Sequence, residues 1–319
     1  MAQENFISQW WQRRQDRKRT ERLRYEKMTT QEKMIDFVKT LLKAFVLVVI
    51  LNGILLAAFT VPTGSMEDTV LTGENLFVNK FIFGPSTPQI IPLFNIALPY
   101  FKTPPIRKPR QGDVIVFIFP GNREQVKADE FTYYLKRCIA VSGDTISIVN
   151  DSVYVNGVQF PLPPQAKYDP AAAMPDAYIE ADKASTFPPG KGFARSNYGP
   201  LRVPAEGDVI QLNETNFEEW RVFIQREGHK AEWNNGGISI DGQKATSYTV
   251  ERNYVFGMGD NRWNSLDSRY WGFIPEHDVV GTPLIVYWSW ADKDRNGREL
   301  SLFGRLAHIR WSRLGTIIR

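Results

Sequence analysis

Phe131-Thr-Tyr-Tyr-Leu-Lys-Arg-Cys-Ile-Ala-Val141 is the stretch on which the fold turns. Its aromatic and apolar run, closed by the Ser142-Gly143-Asp144 turn, reads as a β-strand. Alternation places Tyr134, Lys136 and Cys138 on one face. The lysine is the residue that needs an explanation. Burial among Tyr133, Tyr134, Leu135 and Ile139 disfavours an ammonium and can lower a lysine pKa by roughly 3–5 units from about 10.4. A lysine stem can equally lie along apolar surface and carry its head out to water. The strand by itself leaves both readings open.

Working outward, Gly112–Pro120 (GDVIVFIFP) reads as a strand buried on both faces and entered by a tight Gly-Asp turn. Ile146–Val149 and Ser152–Val155 form a hairpin around Asn150-Asp151. Pro161–Pro204 has no clear period and reads as an inserted excursion or extended surface loop. From Gly207 short segments resume with GDVIQL, Phe217–Glu227, Ile238–Gly242 and Tyr248–Phe256, and they are read as mostly β. Gly112-Asp-Val-Ile recurs as Gly207-Asp-Val-Ile, which is either chance similarity of β-meanders or a repeated module. The fold class is therefore mostly β with long excursions.

The chain has 319 residues and a formal charge of +4, but the basicity is local. Residues 1–43 hold eleven Lys/Arg against six Asp/Glu, leaving the remainder close to neutral. Between Lys43 and Pro62 runs AFVLVVILNGILLAAFTV, eighteen residues without a charge, near the lower limit for a membrane-crossing helix. Leu41 and Leu42 can extend it. The excess of Lys/Arg before it predicts a cytoplasmic N-terminus and an exported remainder. The basic run Arg13–Lys27 is read as a topology determinant touching anionic headgroups, not as a nucleic-acid arm. Cys138 is the single cysteine, which excludes an internal disulfide and a cysteine zinc site. His229, His277 and His308 show no metal-ligand spacing, so neither metal nor cofactor is expected.

Four segments stand out together: Val61-Pro-Thr-Gly-Ser-Met-Glu-Asp-Thr-Val70, Gly112–Phe117, Tyr134–Asp144 and Gly257-Met-Gly-Asp-Asn-Arg-Trp-Asn-Ser-Leu-Asp-Ser-Arg-Tyr-Trp-Gly-Phe-Ile-Pro275. Pro62 and Gly64 bracket a turn that leaves Ser65 exposed at an edge. A serine hydroxyl is a weak nucleophile until a base takes its proton. In order and content these segments resemble the sequence boxes of bacterial type I signal peptidases, over about half the chain.

The resemblance implies a signal-peptidase-like β-fold catalytic domain with one N-terminal transmembrane helix and an inserted β-rich or loop region. The divisions expected are a cytoplasmic basic segment 1–40, a membrane helix 41–61, a catalytic core of 62–160 and 251–290, an insertion 161–250, and a basic segment 291–319. Within that last segment, Leu302–Arg319 either lies on the membrane surface or packs on the protein. The resemblance further implies that Ser65 attacks the scissile carbonyl with Lys136 as general base. The Ser65 N–H and Thr63 hydroxyl would form the oxyanion hole, each donor contributing on the order of 3–4 kcal/mol. Ser265 would orient the Lys136 amine, and Asp267, Arg269 and Arg137 would support the site. Phe59, Val61, Met66, Val70, Tyr134 and Leu135 would line shallow pockets for small residues at the −1 and −3 positions of a signal peptide. The partners implied are signal peptides of exported preproteins, the lipid bilayer and the secretion machinery, with a bacterial plasma-membrane location. The alternative is a catalytically silent, membrane-anchored binding module on the same scaffold.

Overall fold

The computed structural model describes residues 2–54, 56–86, 90–91, 96–97, 101–164, 176–234, 236–293 and 297–319. Two units separate by their contacts, residues 1–51 and 52–319.

The first unit is helical. Ala2–Glu26 forms one helix and Thr30–Ile54 begins a second. Thr29 and Glu32 start the second helix as a capping box: the Thr29 N–H donates to the Glu32 carboxylate at 2.8 Å, and the Glu32 N–H donates to Thr29 Oγ1 at 3.3 Å. The helix ends at Ile54, and Leu56–Thr60 is a strand in the second unit. The single helix expected over 41–61 is corrected accordingly. Residues 56–60 pair their backbone with Glu74–Asn79, and their side chains alternate between exposed and half-buried. Phe59 meets Tyr133 edge-on at 5.0 Å, a partner that a continuing helix would not supply. Among the described residues no helix is long and apolar enough to cross a membrane.

The second unit is built on a seven-stranded antiparallel sheet. Its spatial order is Leu56–Thr60, Glu74–Asn79, Val279–Ser289, Val114–Ile118, Tyr133–Val141, Tyr254–Met258 and Ile274–Pro275. Tyr133–Val141 is thus a central strand, with Ile115 opposite Lys136 and Met258 opposite Arg137. The register slips between Phe256 and Gly257, a bulge beside Lys136. Tyr134 and Cys138 share an apolar cluster with Phe117, Trp271 and Ile274, on the face the alternation predicts.

Thr145–Val149 and Ser152–Val155 leave this sheet and join Val158–Gln159 and Tyr198–Arg202 in a separate four-stranded sheet. The catalytic core read as running to residue 160 therefore gives way to the second region near residue 145. Two further readings are corrected there. Phe217–Arg226 is an α-helix, because Phe217, Val222, Phe223 and Ile224 bury at helical spacing. The 161–204 excursion is more than surface loop. It contributes Phe187, Tyr198, Leu201 and Val203 to the largest apolar cluster.

The Gly-Asp echo has a local explanation. Leu71–Glu74, Arg110–Asp113, Val141–Asp144 and Ala205–Asp208 are four copies of one turn. In each, the last residue's carboxylate accepts from the N–H three residues earlier, at 2.8–2.9 Å. The glycine before that acid takes φ between +81° and +90° and donates its N–H to a neighbouring carbonyl. The strand that follows Gly112 enters the seven-stranded sheet, whereas Val209–Gln211, among the described residues, pairs only with Ser247–Thr249. The repeat is a turn, not a module.

At the C-terminus both open readings of the tail meet an observation. Arg313 pairs with buried Glu74 at 2.6 Å, and Ile318 is buried. Phe303 stays 82% exposed, as do Leu302 and Trp311 to lesser degrees.

Candidate active site

Gly64–Met66 form a single 3₁₀ turn directly after the first strand of the sheet, with Thr63 extended in front of it. The turn is fixed from outside. The Asn261 N–H donates to the Ser65 carbonyl at 3.1 Å, and Asn261 Nδ2 donates to the Gly64 carbonyl at 3.0 Å. This leaves the Ser65 side chain half-buried at the mouth of a cleft.

Lys136 reaches it from the neighbouring strand. Its Nζ lies 2.6 Å from Ser65 Oγ and also donates to the Leu135 carbonyl at 3.1 Å. The residue is 3% exposed, so its head does not reach bulk water as a snorkelling lysine's would. The rings of Tyr134 and Trp271 stand 5.6 and 5.9 Å from Nζ. Burial drives the ammonium pKa down to about 8; Asp267 and Asp260 oppose the shift and Arg269 adds to it. Close packing reinforces the pairing. A Cβ on Gly257 would sit 3.2 Å from the Lys136 Cβ, and one on Gly259 would overlap both Ser265 Oγ and the Ser65 carbonyl.

Two buried ion pairs stand behind the lysine. Arg269 and Asp267 pair at 2.8 Å with 2% and 0% side-chain exposure. Asp267 also accepts the Gly259 N–H at 3.1 Å and caps the Ser268–Trp271 helix through the Arg269 N–H. Burial pushes the Asp267 carboxyl upward, but Arg269 and the Gly259 N–H more than reverse this, and the net shift is downward. Arg137 pairs with Asp260 at 2.6 Å, and Thr69 Oγ1 donates to the same carboxylate at 2.6 Å. The sequence reading placed Arg137 near the site but missed Asp260 as its partner and Asn261 as the clamp on Ser65. Partners 123 and 197 positions apart in the chain are invisible to local pattern.

The cleft has a volume of about 370 Å³. Phe59, Val61, Met66, Tyr134 and Leu135 line it, as do Thr63, Ser65 and Lys136. Val70 does not; it lies fully buried behind the wall, in one cluster with Val61 and Met66. Leu76, Val116, Tyr133, Asn264 and Leu266 also line it and were not foreseen. Ser265 is near the site but not bonded to Lys136. Its Oγ is buried and has no hydrogen-bond partner among the described residues. Among those residues no cluster of His, Cys, Asp or Glu could hold a metal ion.

The inserted region braces this site. Arg226 donates to four backbone carbonyls, those of Gly121, Asn122, Gln125 and Trp271, at 2.7–3.1 Å. The Phe187 N–H donates to the Arg269 carbonyl at 2.8 Å, and the Tyr270 hydroxyl donates to Asp182 at 2.9 Å. The Asp267–Gly272 segment is thereby held on the side away from the cleft.

A hydroxyl in contact with a buried, readily deprotonated amine beside an apolar cleft can support covalent acyl transfer. That is the chemistry of a hydrolase. The family described as "Signal peptidase, peptidase S26" matches residues 34–288, and the chain belongs to it. It is 26% identical over 282 residues to the signal peptidase I of Pseudomonas aeruginosa, covering 84% of this chain and 77% of that protein. With the signal peptidase I of Helicobacter pylori the identity is 27% over 282 residues, covering 84% of this chain and 88% of the relative.

Proposed function

We propose that the protein removes signal peptides from exported preproteins, with Ser65 as nucleophile and Lys136 as general base. The contact between Lys136 Nζ and Ser65 Oγ at 2.6 Å, inside a buried environment, carries this reading. As a neutral amine Lys136 accepts the Ser65 proton while Oγ bonds to the scissile carbonyl carbon. The Ser65 N–H and the Thr63 hydroxyl, which both belong to the cleft wall, receive the charge that develops on the carbonyl oxygen. The ammonium returns its proton to the departing amine. A water activated by the same lysine then releases the acyl group. The Asp267–Arg269 and Arg137–Asp260 pairs act by holding the lysine and the serine turn in register.

The cleft lining supports a preference for small residues. Its wall of Phe59, Val61, Met66, Leu76 and Leu135 leaves shallow apolar space beside Ser65. A substrate bound as an added strand would place alternate side chains into it. We place the membrane anchor in the Thr30–Ile54 helix, with the basic N-terminal segment on the cytoplasmic side and residues 56–319 exported. Support comes from Leu41, Leu42 and Phe45–Val48, which are exposed on that helix and need an apolar environment. The uncharged helical run Ala44–Ile54 is about 16 Å long at 1.5 Å per residue, roughly half a bilayer core.

The full chain in detergent is expected to cleave a preprotein after a small-x-small motif. Changing the −1 alanine of that preprotein to phenylalanine should cut kcat/KM by about 100-fold or more through steric exclusion. Cleavage indifferent to the −1 residue, or none of any preprotein, contradicts the assignment.

A further inference from the structure

Arg262 has a place in the fold that the reaction does not use. The residue is 5% exposed, and its Nε is buried without a hydrogen-bond partner among the described residues. No ion pair or side-chain hydrogen bond satisfies its guanidinium there. The nearby acids are already committed. Asp260 binds Arg137 through both oxygens and takes the Thr69 hydroxyl. Asp267 binds Arg269 through both oxygens and takes the Gly259 N–H. Three buried arginines therefore face two buried aspartates, and the surplus positive charge sits on Arg262. An unpaired buried guanidinium is costly, and proteins retain one where something completes it.

In front of Arg262 is a cavity of about 140 Å³, sharing no lining residue with the Ser65 cleft. One water occupies about 30 Å³ of liquid, so the space exceeds a single water. Asn150, Asp151, Ser152 and Gln159 form polar parts of the other walls, and Val153, Phe160 and Leu162 the apolar parts. Asp151 adds a carboxylate to the same wall, and Arg269, Asp260, Asp267 and Arg137 also act on Arg262. Burial pushes the Arg262 pKa down to about 10, which keeps it cationic at neutral pH.

We propose that Arg262 and this cavity form a binding site for a small oxyanion of the phosphate class, either free or borne on a lipid headgroup. The guanidinium fork matches phosphate oxygens. Asn150, Ser152 and Gln159, which line the same cavity, carry side-chain donors that can serve the remaining oxygens. Occupancy is felt at the catalytic turn, because the Arg262 carbonyl accepts from Arg269 at 2.9 Å and its N–H donates to the Asp260 carbonyl at 3.1 Å. The site depends on the geometry of the 260–262 turn, not on the chemistry assigned to Ser65 and Lys136.

The test is thermal unfolding of the full chain in detergent, with sodium phosphate against sodium chloride at matched ionic strength. At ten times its dissociation constant phosphate is expected to raise Tm by about 3–6 °C. Arg262→Gln should abolish the shift. Ser152→Phe, which fills the cavity and leaves Arg262 in place, should abolish it too, with far-UV circular dichroism confirming that each variant is folded. Dihexanoyl phosphatidic acid compared with dihexanoyl phosphatidylcholine reads the lipid source: a shift with the former alone, equal to or above that of phosphate, assigns a headgroup. No anion-specific shift from phosphate or phosphatidic acid in the wild type, or an equal shift in both folded variants, overturns the proposal.

Discussion

Replacing Lys136 by methionine is expected to lower kcat for preprotein cleavage by about 10,000-fold, the upper range for a lost general base, and to make the protein more stable. The two effects share one cause. Lys136 is 3% exposed, and burial holds its pKa near 8 against an ordinary 10.5. That difference corresponds to about 3 kcal/mol of unfavourable burial for the ammonium at neutral pH. The folded pKa lies below the unfolded one, so the penalty is full below pH 8 and fades as pH rises from 8 toward 10.5. Methionine keeps the unbranched stem between Tyr134 and Trp271 and removes the charge. Denaturant unfolding at pH 7 and pH 10 should show a gain at the lower pH that shrinks at the higher one. A methionine variant that still cleaves, or that is destabilised at pH 7, contradicts the buried-base account.

The second large effect is expected at Asp267. Asp267→Asn strips the counter-charge from Arg269, which lies at 2% side-chain exposure, and leaves three buried arginines facing one aspartate. Removing one member of such a pair typically costs about 3–5 kcal/mol. The change also reaches the lysine. Asp267 raises the Lys136 pKa, so its loss should move the acid limb of residual activity below pH 8 while lowering the overall rate. A merely structural defect would lower stability and rate without moving the limb. Unchanged stability, or a limb moving upward, would show that Asp267 does not bear on Lys136.

Much of this site was legible from the sequence, and the reasons are physical. The strand bearing Lys136 is a long apolar run closed by a Gly-Asp turn, and both signals are local. The Pro-Thr-Gly-Ser turn and the Gly257–Pro275 segment carry their own turn chemistry. What could not be read depends on partners distant in the chain. Leu56–Thr60 looks like the end of an apolar helix until Glu74–Asn79 supplies the ladder that makes it a strand. Phe217–Arg226 follows helical spacing, but its apolar face is decided by the cluster it covers. Arg137–Asp260 and the Asn261 clamp join segments from opposite ends of the core. Val70 has the composition of a pocket residue and lies one layer too deep. The bracing by Arg226 is illegible for another reason: it acts on four carbonyls, which leave no trace in side-chain sequence.

The pH dependence of kcat/KM for preprotein cleavage by the wild-type chain tests the central claim most directly. With Lys136 as the base, the rate should fall about tenfold for each pH unit below about 8, where the amine takes up its proton. A profile that stays flat down to pH 6 would contradict a lysine base paired with Ser65.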